Sequence, residues 1–225
     1  MLINKFLNNK LFKYFFLLFL QILAVLLVGL FSKDEWYVII VAIIGVLFNF
    51  FVSINKSYGF LFGVIYAIFN GVISYFTGLY ATFGFMIIMQ APMAVYSFFV
   101  WNKNRSNNGT ILKVMNIIKL FILIFFMIGV GVAGYFLLNT LNGSNKIYDI
   151  VFFVFSVSAC VLLALRYRLA YIITLLSGLG GVVLYTTQYI VLEISLSLAF
   201  FYIIVSINSI IAVYNNYFNI NIKNN

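Results

Sequence analysis

Residues 36–54, WYVIIVAIIGVLFNFFVSI, carry no charge and a single amide, and they lie between the triplet Lys33-Asp34-Glu35 and the polar break Asn55-Lys56-Ser57. The hydrocarbon core of a bilayer takes roughly 20 apolar residues per helix, so this stretch reads as one span. Its unbroken Val, Ile and Phe exclude a barrel strand, which would alternate polar and apolar residues. Lipid offers no partner to backbone N–H and C=O groups, which leaves a helix.

The same pattern continues on both sides, at about 12–31, 59–77, 79–101, 111–138, 150–165, 169–187 and 189–214. The breaks fall at Thr77-Gly78, Asn102 to Gly109, Asn139 to Asp149, Arg166 to Arg168, and Thr186 to Gln188. About eight spans account for the chain, whose 65% apolar and 8% charged content and mean hydropathy of +1.16 leave no room for a water-soluble domain. The fold class expected is therefore all-α integral membrane. Lys5, Lys10 and Lys13 precede the first apolar run, which is too long for a cleaved leader and has further spans behind it, so it reads as a retained helix. The lone Cys160 has no intrachain disulfide partner and reads as a small buried hydrophobe.

Charge placement gives the topology. Lys5, Lys10, Lys13, Lys56, Lys103, Arg105, Lys113, Arg166, Arg168 and Lys223 fall on the face shared by both termini; Lys33 and Lys146 fall opposite, and Lys119 lies within a span. The acids Asp34, Glu35, Asp149 and Glu193 sit on or near that opposite face. Basic residues near span ends favour the cytoplasm, so a multi-pass protein of the cell membrane with both termini cytoplasmic is expected. The net charge of +9 is mostly this asymmetry and gives no reason to invoke nucleic acid. The two sides are thus a basic face and an acidic face.

Sliding residues 42–101 forward by 110 positions pairs Lys56 with Arg166, Gly71 with Gly181, Tyr75 with Tyr185 and Thr77 with Thr187. That offset crosses four helices, an even number, so the two copies run the same way through the membrane. The expected layout is 1+3+1+3: an extra helix in 1–35, a three-helix bundle in 36–101, a loop and linker helix in 102–148, a second, parallel bundle in 149–216 and a tail in 217–225. Carriers built from parallel repeats commonly hold their solute between the halves near the midplane.

Polar side chains within spans either join helices or line a cavity, and both readings stay open at this point. Tyr66, Asn70, Ser74 and Thr77 share one helical face, as do Thr82, Met86, Gln90, Met93 and Ser97 on the next span. In the last span Ser195, Tyr202, Ser206 and Ser209 align with Asn208 beside them, while Asn49 sits deep in the second span. The candidate solute-binding residues are Asn49, Tyr66, Asn70, Ser74, Gln90, Ser177, Tyr202 and Asn208. Structural or gating roles are expected for Pro92, which should kink its span, and for Gly178 and Gly181, by close packing or as a hinge. The chain has no His and no acid near the middle of a span, so the usual proton carriers are missing. Nor does it hold a phosphate-binding Gly loop, a metal-ligand cluster or a nucleophile with its base, and neither an enzyme nor a cofactor is expected. A passive facilitator remains.

Residues 78–101, GLYATFGFMIIMQAPMAVYSFFVW, resemble the bacterial nicotinamide riboside transporter family, PnuC, in which Gly-Leu-Tyr is followed fourteen residues on by Pro-Met and then by a Trp. The resemblance implies facilitated uptake of a vitamin or nucleoside precursor, trapping by cytoplasmic phosphorylation, a fold similar to the SWEET sugar carriers, and a structural or gating role for Trp101. Two departures concern the solute. Ala94 stands where Gln often follows Pro-Met, and Tyr171, Thr174, Ser177 and Gly178 occupy the region where relatives carry Trp and Asn. Nicotinamide riboside leads; thiamine, riboflavin, a deoxynucleoside or a sugar on the same fold, and a scaffold that transports nothing, are the alternatives. The partners expected are a small neutral nucleoside or vitamin and the lipid bilayer, and a homo-oligomer is compatible with the sequence.

Overall fold

The computed structural model describes residues 10–106, 109–141, 145–192 and 196–218. Lys5, Glu193, Ser195 and Lys223 lie outside the described residues, as does most of the 217–225 tail. Among the described residues eight helices are long and apolar enough to cross a membrane. They are α1 (Lys10–Ser32), α2 (Trp36–Ser53), α3 (Gly59–Phe76), α4 (Tyr80–Lys103), α5 (Ile117–Leu141), α6 (Lys146–Ala164), α7 (Ala170–Leu192) and α8 (Leu196–Phe218).

Short joints make this packing possible. Lys33, Asn55, Gly78 and Arg166 turn the chain with φ of 57°, 60°, 74° and 63°. In each case the next residue donates its N–H five residues back, Asp34 to Gly29, Lys56 to Phe51, Leu79 to Ser74 and Tyr167 to Leu162, all at 2.9 Å. This helix-ending motif satisfies carbonyls that lipid would leave unpaired. It also reverses the chain within a few residues.

Three boundaries differ from the sequence reading. Thr186 to Gln188 is not a break: α7 runs on to Leu192, with the Thr187 hydroxyl bonded to Leu184 O at 2.7 Å within its own helix, and α8 begins at Leu196. A hydroxyl that can bond its own helix does not need a loop. Residues 111–116 precede α5 as an extended leader, because Lys113 N–H bonds Arg166 O at 2.6 Å and Arg168 N–H bonds Lys113 O at 3.0 Å. Helix α6 starts at Lys146, which places Asp149 inside its first turn and away from any loop.

Six helices form a closed ring in the order α2, α3, α4, α6, α7, α8 and back to α2. Helices α2 to α4 make up a first trio and α6 to α8 a second. Helix α1 packs outside against α2 and α8, and α5 packs outside against α6 and the start of α4. Both outer helices expose mostly Phe, Leu and Ile. An apolar exterior of this kind suits lipid, not water.

Helix α4 departs from α geometry over Phe85–Gln90, which form a wider π turn in which Ala91 N–H reaches Met86 O. Pro92, which has no N–H to give, lies just beyond it. Close packing of α7 on α8 explains two glycines: a Cβ on Gly178 would stand 2.5 Å from the Ser206 hydroxyl, and one on Gly181 would stand 2.5 Å from the Tyr202 ring.

Candidate functional site

The ring encloses a cavity with about 70 Å³ open to the centres of water molecules, room for several waters. Its wall takes Phe48, Asn49, Val52 and Ser53 from α2, Tyr66 from α3 and Phe85, Met86 and Gln90 from α4. The second trio supplies Phe152, Ser156, Ala159, Cys160 and Leu163 from α6, Tyr171, Thr174 and Ser177 from α7, and Phe201, Tyr202, Val205 and Ser209 from α8. On α2, α6 and α7 nearly all of these lie in the half of the helix nearer the basic face. The cavity therefore extends from the midplane toward that face.

The other half of the ring is filled. The hydroxyls of Tyr66 and Tyr202 bond at 2.8 Å, and the Asn70 amide donates to Tyr66 and to Tyr185, each at 3.2 Å. The Tyr185 and Tyr202 rings stack at 5.2 Å, and Phe152 meets Tyr202 edge-on at 5.2 Å. Beyond them Gln188 reaches Thr77 O at 3.3 Å. Helices α3 and α7, on opposite sides of the ring, thus meet in the half nearer the acidic face. They part around the cavity in the other.

Of the residues singled out from the sequence, Asn49, Tyr66, Gln90, Ser177 and Tyr202 line the cavity. Asn70 and Ser74 lie one and two turns beyond Tyr66, buried and away from the wall. Asn208 faces outward to α1, where it exchanges amide hydrogen bonds with Gln21 at 2.7 and 3.2 Å. Trp101, fully buried at the basic end of α4, donates its indole N–H to Leu163 O at 2.8 Å.

Two wall atoms stand out by having no partner. Asn49 Oδ1 and Ser209 Oγ are buried without a hydrogen bond, and their residues are 8% and 1% exposed. Other wall groups are engaged: Ser156 with Ser177 at 2.7 Å, Ser53 with Phe50 O at 2.7 Å, Thr174 with Ala170 O at 2.8 Å, and Tyr171 with Asn55 at 2.6 Å. A buried polar atom without a partner costs about 1–3 kcal/mol, and two residues that line this cavity each hold one. Sequence reasoning passed over Ser53 and Ser156 as wall residues, although Asn49 and Ser53, like Ser156 and Cys160, stand four apart on one helical face.

Among the described residues no cluster of His, Cys, Asp or Glu could hold a metal. Among the described residues the wall carries no Lys, Arg, Asp or Glu and seven aromatic rings, which suits a flat organic solute held by ring contacts and a few hydrogen bonds.

Comparison with known proteins agrees with this picture. A solved protein described as the vitamin B3 transporter PnuC shares the fold at a TM-score of 0.79, with 21% identity, over 90% of this chain and 89% of that one. The nicotinamide riboside transporter PnuC of Neisseria mucosa is 30% identical over 159 residues, 68% of this chain. The matched region spans 59% of that relative's length. The family described as nicotinamide mononucleotide transporter matches residues 35–216, the ring up to the last two residues of α8, and the chain belongs to that family.

Proposed function

We propose that this chain is a passive carrier of nicotinamide riboside, bound inside the ring between the two trios. The single observation that carries the reading is the pair of unpartnered atoms, Asn49 Oδ1 and Ser209 Oγ, on an aromatic, uncharged wall. A carboxamide N–H₂ would satisfy the Asn49 oxygen, and a ribose hydroxyl would satisfy Ser209. The pyridinium ring carries one positive charge, which departs from the neutral solute expected, and Tyr66, Tyr202 and Phe201 on the wall are the rings that would offer it a cation–π contact. In this reading Asn49, Tyr66, Gln90, Ser177 and Tyr202 contact solute, while Asn70 holds Tyr66 in place and Asn208 ties α8 to α1.

The two trios act as parallel bundles that rock about the solute, with α5 as the linker of a 1+3+1+3 layout. Both termini face the cytoplasm, on the basic side, where phosphorylation of the imported molecule by a kinase would prevent its return. No wall residue carries a titratable carboxylate or imidazole to couple a proton, which supports facilitated diffusion.

Purified protein in liposomes is expected to equilibrate labelled nicotinamide riboside without an ion gradient. Uptake no faster than in empty liposomes, for this solute and for thiamine, riboflavin and deoxynucleosides alike, would remove the carrier reading. Faster uptake of one of the latter would keep the carrier and change its solute, as the departures at Tyr171, Thr174, Ser177 and Gly178 allow.

A further inference from the structure

The ring has two seams between trios, α4 against α6 and α8 against α2. At the acidic face each seam is fastened by a carboxylate from the entry of one trio to the start of the last helix of the other. Asp149, with no exposed surface, accepts from the backbone N–H groups of Ala81 and Thr82, each at 3.1 Å, and from the Thr82 hydroxyl at 2.5 Å. Asp34, in the joint leading into α2, accepts from the Ser197 N–H at 2.7 Å and hydroxyl at 2.5 Å, and from the Ser32 hydroxyl at 2.9 Å. Asp34 and Asp149 are 115 residues apart, and so are Thr82 and Ser197. The two fastenings therefore answer one another across the ring.

Their chemistry differs from that of the other face. A helix N-terminus presents unpaired N–H groups and about half a positive charge, and a carboxylate is the strongest acceptor the chain can bring to it. At the basic face the same two seams are closed by uncharged groups: Trp101 to Leu163 O, and Asn55 to Asn216 at 3.1 Å. A rocking carrier must release one pair of ties while keeping the other.

The geometry points to Asp34 and Asp149 as paired gate residues, clasps that must let go of Ser197 and Thr82 before the cavity can open at the acidic face. This rests on the carrier reading above, and its test needs no solute. Cys160 is the only thiol in the chain and lies on the cavity wall. It therefore reports which side has access. In sealed vesicles of known orientation, a membrane-impermeant thiol reagent applied at the acidic face should label the native protein slowly. Asp34→Asn and Asp149→Asn should each speed that labelling about tenfold or more and slow labelling from the basic face. The double variant should go further. Thr82→Ala and Ser197→Ala, which remove one hydroxyl bond and keep the carboxylate on backbone N–H, should move the rates a few-fold in the same direction. Cys160→Ser supplies the background. If the carboxylates are merely helix caps, their loss will lower the unfolding temperature and speed labelling from both faces, and that result would overturn the proposal. An unchanged rate in a folded double variant would overturn it equally. Failure to move nicotinamide riboside would leave the labelling result standing, so the two readings fail separately.

Discussion

The two halves of the ring use the same kinds of side chain to opposite ends. Nearer the acidic face, Tyr66, Asn70, Tyr185 and Tyr202 bond one another and stack, so their polar atoms are consumed in holding helices together. Nearer the basic face, Asn49 and Ser209 are also buried, line the cavity, and each hold an oxygen without a hydrogen bond. Two asparagines on neighbouring helices therefore have unlike parts, one as glue and one as receptor. Both are buried, and what separates them is whether a partner stands within hydrogen-bond distance of the side-chain oxygen.

Four substitutions sharpen or break that contrast. The largest effect belongs to Gly181→Leu, which forces a side chain into the Tyr202 ring and should cost about 1–3 kcal/mol, read as a lower unfolding midpoint in detergent. Next, Asn49→Leu should weaken solute binding about 10- to 100-fold, because a polar group of the solute is left unpaired. Its unfolding midpoint should hold or rise, since an unpartnered oxygen is removed. A fall instead would mean that Asn49 is glue like Asn70 and would erase the comparison. Asn70→Leu should do the reverse on stability, lowering it by about 1 kcal/mol as the Tyr66 and Tyr185 hydroxyls lose a partner. Smallest is Lys119→Met: the ammonium bonds the Tyr167 hydroxyl at 3.0 Å on the outside of the ring, so both stability and uptake should stay within about 0.5 kcal/mol of the parent.

The spans were legible because a helix in lipid needs about twenty apolar residues, and hydropathy alone reports such runs and the polar joints between them. The facing of polar residues was not. Asn208 and Ser209 are neighbours on α8, yet a turn of about 100° sends one to Gln21 on α1 and the other to the cavity wall. Periodicity identifies a face but does not say which neighbour that face meets. Asp149 was hidden for a related reason. Reading it as part of a loop missed that α6 begins three residues earlier, where a carboxylate can reach the start of α4. Thr186 to Gln188 misled in the opposite direction, since small polar residues were read as a turn where the hydroxyl bonds back into its own helix.

The extended leader before α5 sets a mechanical limit. Thr110 N–H is bonded to Asn55 O, at the end of α2, and Lys113 is bonded through its backbone to Arg166 and Arg168, at the joint of α6 and α7. Chain that passes from one half of the molecule to the other is thus pinned at both sides of Ile111-Leu112. Three Cα steps span about 10 Å when drawn straight. However far the halves swing apart at the acidic face, this leash confines their travel at the basic face to a few ångströms unless one of its two moorings slips.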